Sequence, residues 1–226
     1  MPSSVVQNAR NICTAACGTT LVKAFTNNTV AGNICVVGVT FGAGSELTVD
    51  VTDSQGNTYT KRQGTFGATT GAYAAVFTAT LGAGANTVTV TFGSSPSVSG
   101  LWIYEISGVT LTGITGSTGL VDTPAVAAPS ATGSVTFLTG AFLFAVINSN
   151  VSSVTNGTGF TLDYDGSSGM AAEQATTGIT SPTTFPFSWT GNANYAEAAV
   201  EVPASVAGGF NESGAKRQYR GGKRMR

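Results

Sequence analysis

Histidine is absent from the 226 residues, and that absence alone removes much of enzyme chemistry. Ser-His-Asp and Cys-His nucleophilic systems, histidine metal sites and histidine acid–base work all require an imidazole. Charge is scarce too. Asp, Glu, Lys and Arg make up 9% of the chain, against roughly a quarter in an ordinary soluble domain. Nowhere does an apolar run approach the ~18 residues needed to span a membrane. No phosphate loop of the G-x-x-x-x-G-K-[ST] type occurs, and no G-x-G-x-x-G leads from a strand into a helix. Residues Met1–Arg10 lack a basic segment followed by an apolar one, so no signal peptide is expected. Helical periodicity of useful length is missing as well.

Gly, Ser, Thr, Asn and Ala take the place of the missing charges, which predicts a neutral, hydroxyl-rich surface suited to exterior life or to packing against identical neighbours. Hydrophobic residues reach 42%, enough for a full core. The net charge of −1 conceals a segregation. Before Lys216 there are four basic residues against eleven acidic ones, a net of −7; from Lys216 onward there are six basic and no acidic residues, a net of +6.

Three cysteines, Cys13, Cys17 and Cys35, cannot all pair within the chain. Cys13 and Cys17 are spaced to close a short loop, and either could bond Cys35 across neighbouring strands. Buried, reduced thiols are the simplest state. Zinc lacks a fourth ligand, and no cofactor is expected.

The dominant period is 2. Leu47, Val49 and Val51 alternate with Thr48, Asp50 and Thr52, and Val88, Val90 and Phe92 with Thr87, Thr89 and Thr91. Phe185, Phe187 and Trp189 alternate with Thr184, Pro186 and Ser188. This is the pattern of half-buried strands. Ile34–Phe41 and Ala141–Ile147 are apolar on both parities and predict central strands covered on both faces. Gly-, Asn- and Asp-containing turns separate the runs. About a dozen strands are expected, in an antiparallel β-sandwich or jelly roll spanning residues 1–206. Residues 108–133 read as a long crossover within it, with a linker between two domains as the alternative. The Phe41-Gly-Ala-Gly and Leu81-Gly-Ala-Gly segments echo each other 40 residues apart. Without a third copy they read as two hairpins sharing turn chemistry. Residues 207–226 form a basic tail.

Candidate chemistry is thin. Paired carboxylates for a glycosidase could come from Glu105, Glu173, Glu197, Glu201, Asp163 and Asp165. Parity with Tyr195 places Glu197 and Glu201 on a solvent face, and Glu105, in phase with Leu101 and Ile103, is partly buried with Arg62 or Lys61 as partner. Asp163, Asp165, Asp50 and Asp53 offer oxygen ligands to calcium, though no EF-hand pattern is present. Sugar stacking would need exposed aromatics, yet Trp102, Tyr104, Phe185, Phe187 and Trp189 sit at strand period and read as core.

Ala31–Phe41, Leu47–Thr60, Gly84–Phe92 and Trp102–Val109, in this order, resemble a widespread, poorly characterised β-sandwich module of bacterial secreted proteins and phage structural proteins. The resemblance covers about Val5 to Val202. It implies a sandwich in an exterior or virion setting and carries no catalytic residues. The tail lies outside it. Its Lys216, Arg217, Tyr219, Arg220, Lys223, Arg224 and Arg226 are the expected partner-binding residues, because six cations on a Gly-containing arm seek an anionic surface. The expected role is therefore a non-enzymatic virion structural protein, such as a capsid decoration, head-fibre or shell component. Folded in the host cytoplasm, it would contact copies of itself or other virion proteins, with nucleic acid as a lesser tail partner and no membrane. A secreted or cell-surface adhesin, or a carbohydrate-binding module, is the alternative.

Overall fold

The computed structural model describes residues 2–114, 117–127, 135–151, 153–165, 169–181 and 183–205. Among them there is no helix and there are thirteen strands. The first eight are β1 (Ser4–Cys13), β2 (Thr20–Ala24), β3 (Ile34–Gly42), β4 (Val49–Asp53), β5 (Thr60–Gly67), β6 (Ala72–Thr80), β7 (Thr87–Phe92) and β8 (Val98–Ser107). The remaining five are β9 (Ser117–Ala127), β10 (Phe142–Ser149), β11 (Thr161–Asp165), β12 (Met170–Ala175) and β13 (Asn192–Val202). All pairings are antiparallel. The protein is all-β, and its stacked sheets are consistent with a β-sandwich.

Sheet I has the order β2-β7-β4, sheet II β1-β8-β3-β6-β5 and sheet III β11-β12-β10-β13-β9. Strand parity explains how they stack. On sheet II, one parity (Val37, Val39, Phe41, Phe77, Ile103) packs on Leu21, Val51, Val88 and Val90 of sheet I. The other (Val36, Val76, Trp102, Tyr104) packs on Phe142, Phe144, Val146 and Val200 of sheet III. The far face of sheet III is covered in turn by Val135, Val154, Phe160, Phe185, Phe187 and Trp189. Because sheets II and III are each covered twice, β3 and β10 are buried along nearly their whole length, as their uninterrupted apolar runs predict. The outer face of sheet I carries Thr20, Thr52, Thr87, Thr89 and Thr91 in cross-strand register.

The two halves of the chain repeat one topology. Reading sheet III from its other edge gives β9-β13-β10-β12-β11, which matches β1-β8-β3-β6-β5 strand for strand. The matching extends to turns. Gly32 (φ 86°) and Gly140 (φ 88°) precede β3 and β10, and each turn closes with an amide bonded three residues back, Asn33 to Val30 and Ala141 to Leu138. Gly71 and Gly169 precede β6 and β12, where an added Cβ would lie 2.2 Å from the carbonyl oxygen of Ala43 or Ser149. Among the described residues of the second half, the place of sheet I is taken by isolated bridges, Val135 with Thr183 and Thr155 with Ser188. The alternating Phe185–Trp189 segment thus lies buried without forming a regular strand, and Pro186 lacks the amide a ladder would require. The Phe41 and Leu81 echo is unrelated to this repeat, since those segments follow β3 and β6 of the same half.

Two expectations need correction. The 108–133 segment is not simply a crossover, because residues 117–127 form β9 and pair with β13 at the edge of sheet III. Its weak alternation reflects Gly119, whose bare Cα lies against Gln63 and Thr65, and Pro124, which sits in a bulge opposite Asn194. Second, Cys13 and Cys17 form a disulfide, and Cys35 alone is a free, fully buried thiol. Residues four apart satisfy the bond because Ala16 takes a positive φ of 52° and folds the chain back.

The contact between sheets II and III is tight at Gly38, where a Cβ would lie 2.3 Å from Val146 Cγ1 and 2.9 Å from Phe144 Cζ. Gly38→Ala should therefore lower stability by about 1–3 kcal/mol in urea unfolding, the usual cost of overpacking. Gly18→Ala, which meets nothing within 4 Å, should be close to neutral.

Candidate functional site

The carboxylates offered by the sequence do not converge on one cleft; most are committed to the interior. Glu105 on β8 is fully buried. Its Oε1 accepts from the Val30 amide (2.8 Å) and Asn33 Nδ2 (2.7 Å), and its Oε2 accepts from Gln7 Nε2 (2.6 Å). The expected partners Arg62 and Lys61 do not reach it; Arg62 Nε instead donates to Thr78 Oγ1 at 2.6 Å. Glu105 thus ties β1 and the turn before β3 to β8.

Glu197 and Glu201 are buried, not solvent-facing. Parity placed them correctly with Tyr195, but that face of sheet III lies under the Phe185–Trp189 layer. Register makes Glu201 the counterpart of Glu105: Cys35 pairs with Ala79 and Glu105, and Leu143 with Ala175 and Glu201. The counterpart of Asn33 is Ala141, so one amide donor is missing, and Glu201 Oε2 has no hydrogen-bond partner. Burial pushes the Glu201 carboxyl up to about 7. Glu173 on β12 is also pushed up to about 7 by burial, against a hydrogen bond from the Gly157 amide (2.8 Å) that favours its charged form.

Two of the calcium candidates, Asp53 and Asp163, are occupied by protein donors, and the Asp165 side chain lies outside the described ones. Burial works against the charged form of Asp53, but hydrogen bonds from Asn86, Asn57 and Tyr59 outweigh it and hold the group below its ordinary value. The bonds run from Asn86 Nδ2 (2.9 Å), Asn57 Nδ2 (2.7 Å) and Tyr59 Oη (2.9 Å). Asp163 accepts from Arg10, from Asn8 Nδ2 (3.3 Å) and from Tyr104 Oη (2.7 Å), while its carbonyl receives Trp102 Nε1 (3.1 Å). It pins β11 of one half to β1 and β8 of the other. Asp50 is exposed on β4. Among the described residues no cluster of three or more His, Cys, Asp or Glu could hold a metal ion. Trp102, Tyr104, Phe185, Phe187 and Trp189 are all buried, so sugar stacking through them is closed. The tail residues Lys216, Arg217, Tyr219, Arg220, Lys223, Arg224 and Arg226 lie outside the described residues.

What the sequence did not reveal is a polar groove. At the end of the molecule where β3 finishes and β8 begins, the loops 43–47, 68–71 and 94–97 enclose a recess of ≈ 640 Å³. A waist of ≈ 170 Å³ shares Gly42, Thr70 and Gly71 with it and adds Asn148, Asn150 and Asn194 from the second half. A third recess of ≈ 400 Å³ shares Asn150 and adds Val151, Ser153 and Thr190. The disulfide braces this end, since the Cys17 carbonyl accepts from Ser95 Oγ and Cys17 Sγ lies 3.6 Å from the Ser97 carbonyl oxygen. The signal was present as Ser-, Thr- and Gly-rich turns, but turns of this composition occur throughout the chain.

No family model, no curated protein and no solved structure matches this chain.

The buried carboxylates yield two stability predictions of opposite sign, and that for Glu201 depends on pH. Glu201 and Glu173 titrate near 7 when folded but near 4.3 when unfolded. Their favourable contribution is full below about pH 4.3, falls as pH rises through 7 and then levels off. Glu201→Gln should therefore gain up to about 3 kcal/mol over the parent at pH 8 and little at pH 4.5 in urea unfolding. Glu105→Gln, at the equivalent position, should instead lose about 2–4 kcal/mol, because its amide would face donors already aimed at a carboxylate.

Proposed function

We propose that this chain is a structural component of a virion exterior, acting through protein contacts, with the basic tail as its anchor. One observation carries the reading. Much of the charge of the body is internal: Glu105, Glu173, Glu197 and Glu201 are buried and Asp53 and Asp163 are enclosed by donors, so among the acids whose side chains are described only Glu46 and Asp50 are exposed. The described body thus presents a weakly charged, threonine- and serine-rich surface, and the concentrated charge of the sequence is the +6 of residues 216–226. A weakly charged surface packs against copies of itself without like-charge repulsion, and a cationic arm seeks an anionic partner. The resemblance to sandwich modules of phage structural proteins supports the same setting.

Native mass measurement and micrographs of the full chain and of a variant lacking residues 216–226 test this. The full chain should form a repeating assembly that the deletion abolishes and that weakens as salt rises. A protein that stays monomeric at high concentration with and without the tail would remove the proposal.

A further inference from the structure

The polar groove is a large surface feature of the described residues that the structural role leaves unused. We infer that it is a binding site for a neutral oligosaccharide chain laid across both halves of the molecule. Four observations carry this. The three recesses are linked through Gly42, Thr70 and Gly71 at one junction and through Asn150 at the other, so a ligand of several sugar units would find one continuous track. Among the described residues lining the track none is charged and none is aromatic. Charge enters only at a side recess beyond Leu47, where Glu46 and Lys61 stand. Between glycines and small apolar residues the lining carries Ser45, Thr69, Ser94, Ser153 and Thr190, whose hydroxyl groups both donate and accept, the requirement a sugar hydroxyl imposes. Asn194 Oδ1, beneath the waist, is buried and has no hydrogen-bond partner among the described residues.

Other occupants fit less well. Acidic ligands would meet no cation along the track. An extended peptide would need free backbone groups, and several at the groove are spent: Ala43 N on Gly71 O (2.9 Å), Ser97 N on Gly42 O (2.9 Å) and Asn150 N on Asn194 O (3.2 Å). Without an aromatic platform each site binds weakly, and repeated display on an assembly would raise the avidity.

The location is consistent with display. Ser205 N bonds Gly108 O (2.8 Å) and Ser3 N bonds Gly140 O (2.8 Å), so the chain enters and leaves the body at the far end of β8 from Ser97. Ten residues of strand separate the two ends, roughly 30 Å. That orientation rests on the anchoring role proposed above; the chemistry of the groove does not.

The test is an array of neutral oligosaccharides ending in glucose, galactose, mannose or N-acetylglucosamine, with sialylated and sulfated glycans and an unstructured polypeptide alongside. The full chain is compared with Thr69→Arg, Ser94→Arg and Ser153→Arg, all exposed positions at the rim that should leave thermal unfolding unchanged. Neutral glycans should be retained, and each substitution should weaken binding about tenfold or more by filling the track. Absence of neutral-glycan binding, preference for the acidic glycans or the polypeptide, or indifference to all three substitutions would overturn the site. Loss of assembly on deleting residues 216–226 with glycan binding intact separates the groove from the anchor.

Discussion

The contact between sheets II and III is the constraint on which the rest of the molecule depends. Trp102, Tyr104, Phe142 and Phe144 fill it, and Tyr104 stands edge-on to Phe144 with ring centroids 5.1 Å apart. Once this face is closed, β3 and β10 have no solvent side, and their residues are apolar, small or hydrogen-bonded, with the buried Thr40 hydroxyl the exception. Gly38 is the limiting case, since even a methyl group there would displace Val146. Asp163 completes the contact at its edge, where an aspartate at the boundary of two apolar layers is tolerable because Arg10, Asn8 and Tyr104 all donate to it. The same contact brings the loops of both halves to one end, and with them Asn148, Asn150 and Asn194 to the margin of the first-half recess.

The repeat gives the buried carboxylates a common frame. Glu105 and Glu201 occupy the same lattice point of two sheets, yet one is saturated with donors and the other keeps an unpartnered oxygen. The difference traces to the turn before the central strand, where Asn33 in one half is Ala141 in the other. A carboxylate deprived of its donors does not remain an ordinary anion in that environment; burial favours its protonated form instead.

Much of the fold was legible from periodicity because a strand has only two faces. Val88, Val90 and Phe92 announce a half-buried strand, and the doubly apolar Ile34–Phe41 announces a central one. Legibility failed where burial depended on a layer not itself recognisable. Glu197 and Glu201 alternate as an exposed face would, and only the irregular Phe185–Trp189 cover hides them. The halves escaped detection because equivalent sites share parity but not identity: Trp102 matches Ala198, Tyr104 matches Val200, and the strands are offset by unequal loop lengths. Gly119 and Pro124 disguised β9 by supplying the two residue types that most weaken a strand pattern. Of the candidate site, the sequence offered aromatic and acidic residues, which turned out to serve the interior. The groove is made from serines and threonines too common to stand out.

The closeness of Ser3 and Ser205, both held against the end formed by Gly108 and Gly140, has a consequence for the module as an evolutionary unit. A body whose first and last described residues lie side by side can be placed in a surface loop of another protein without prying apart the chain on either side.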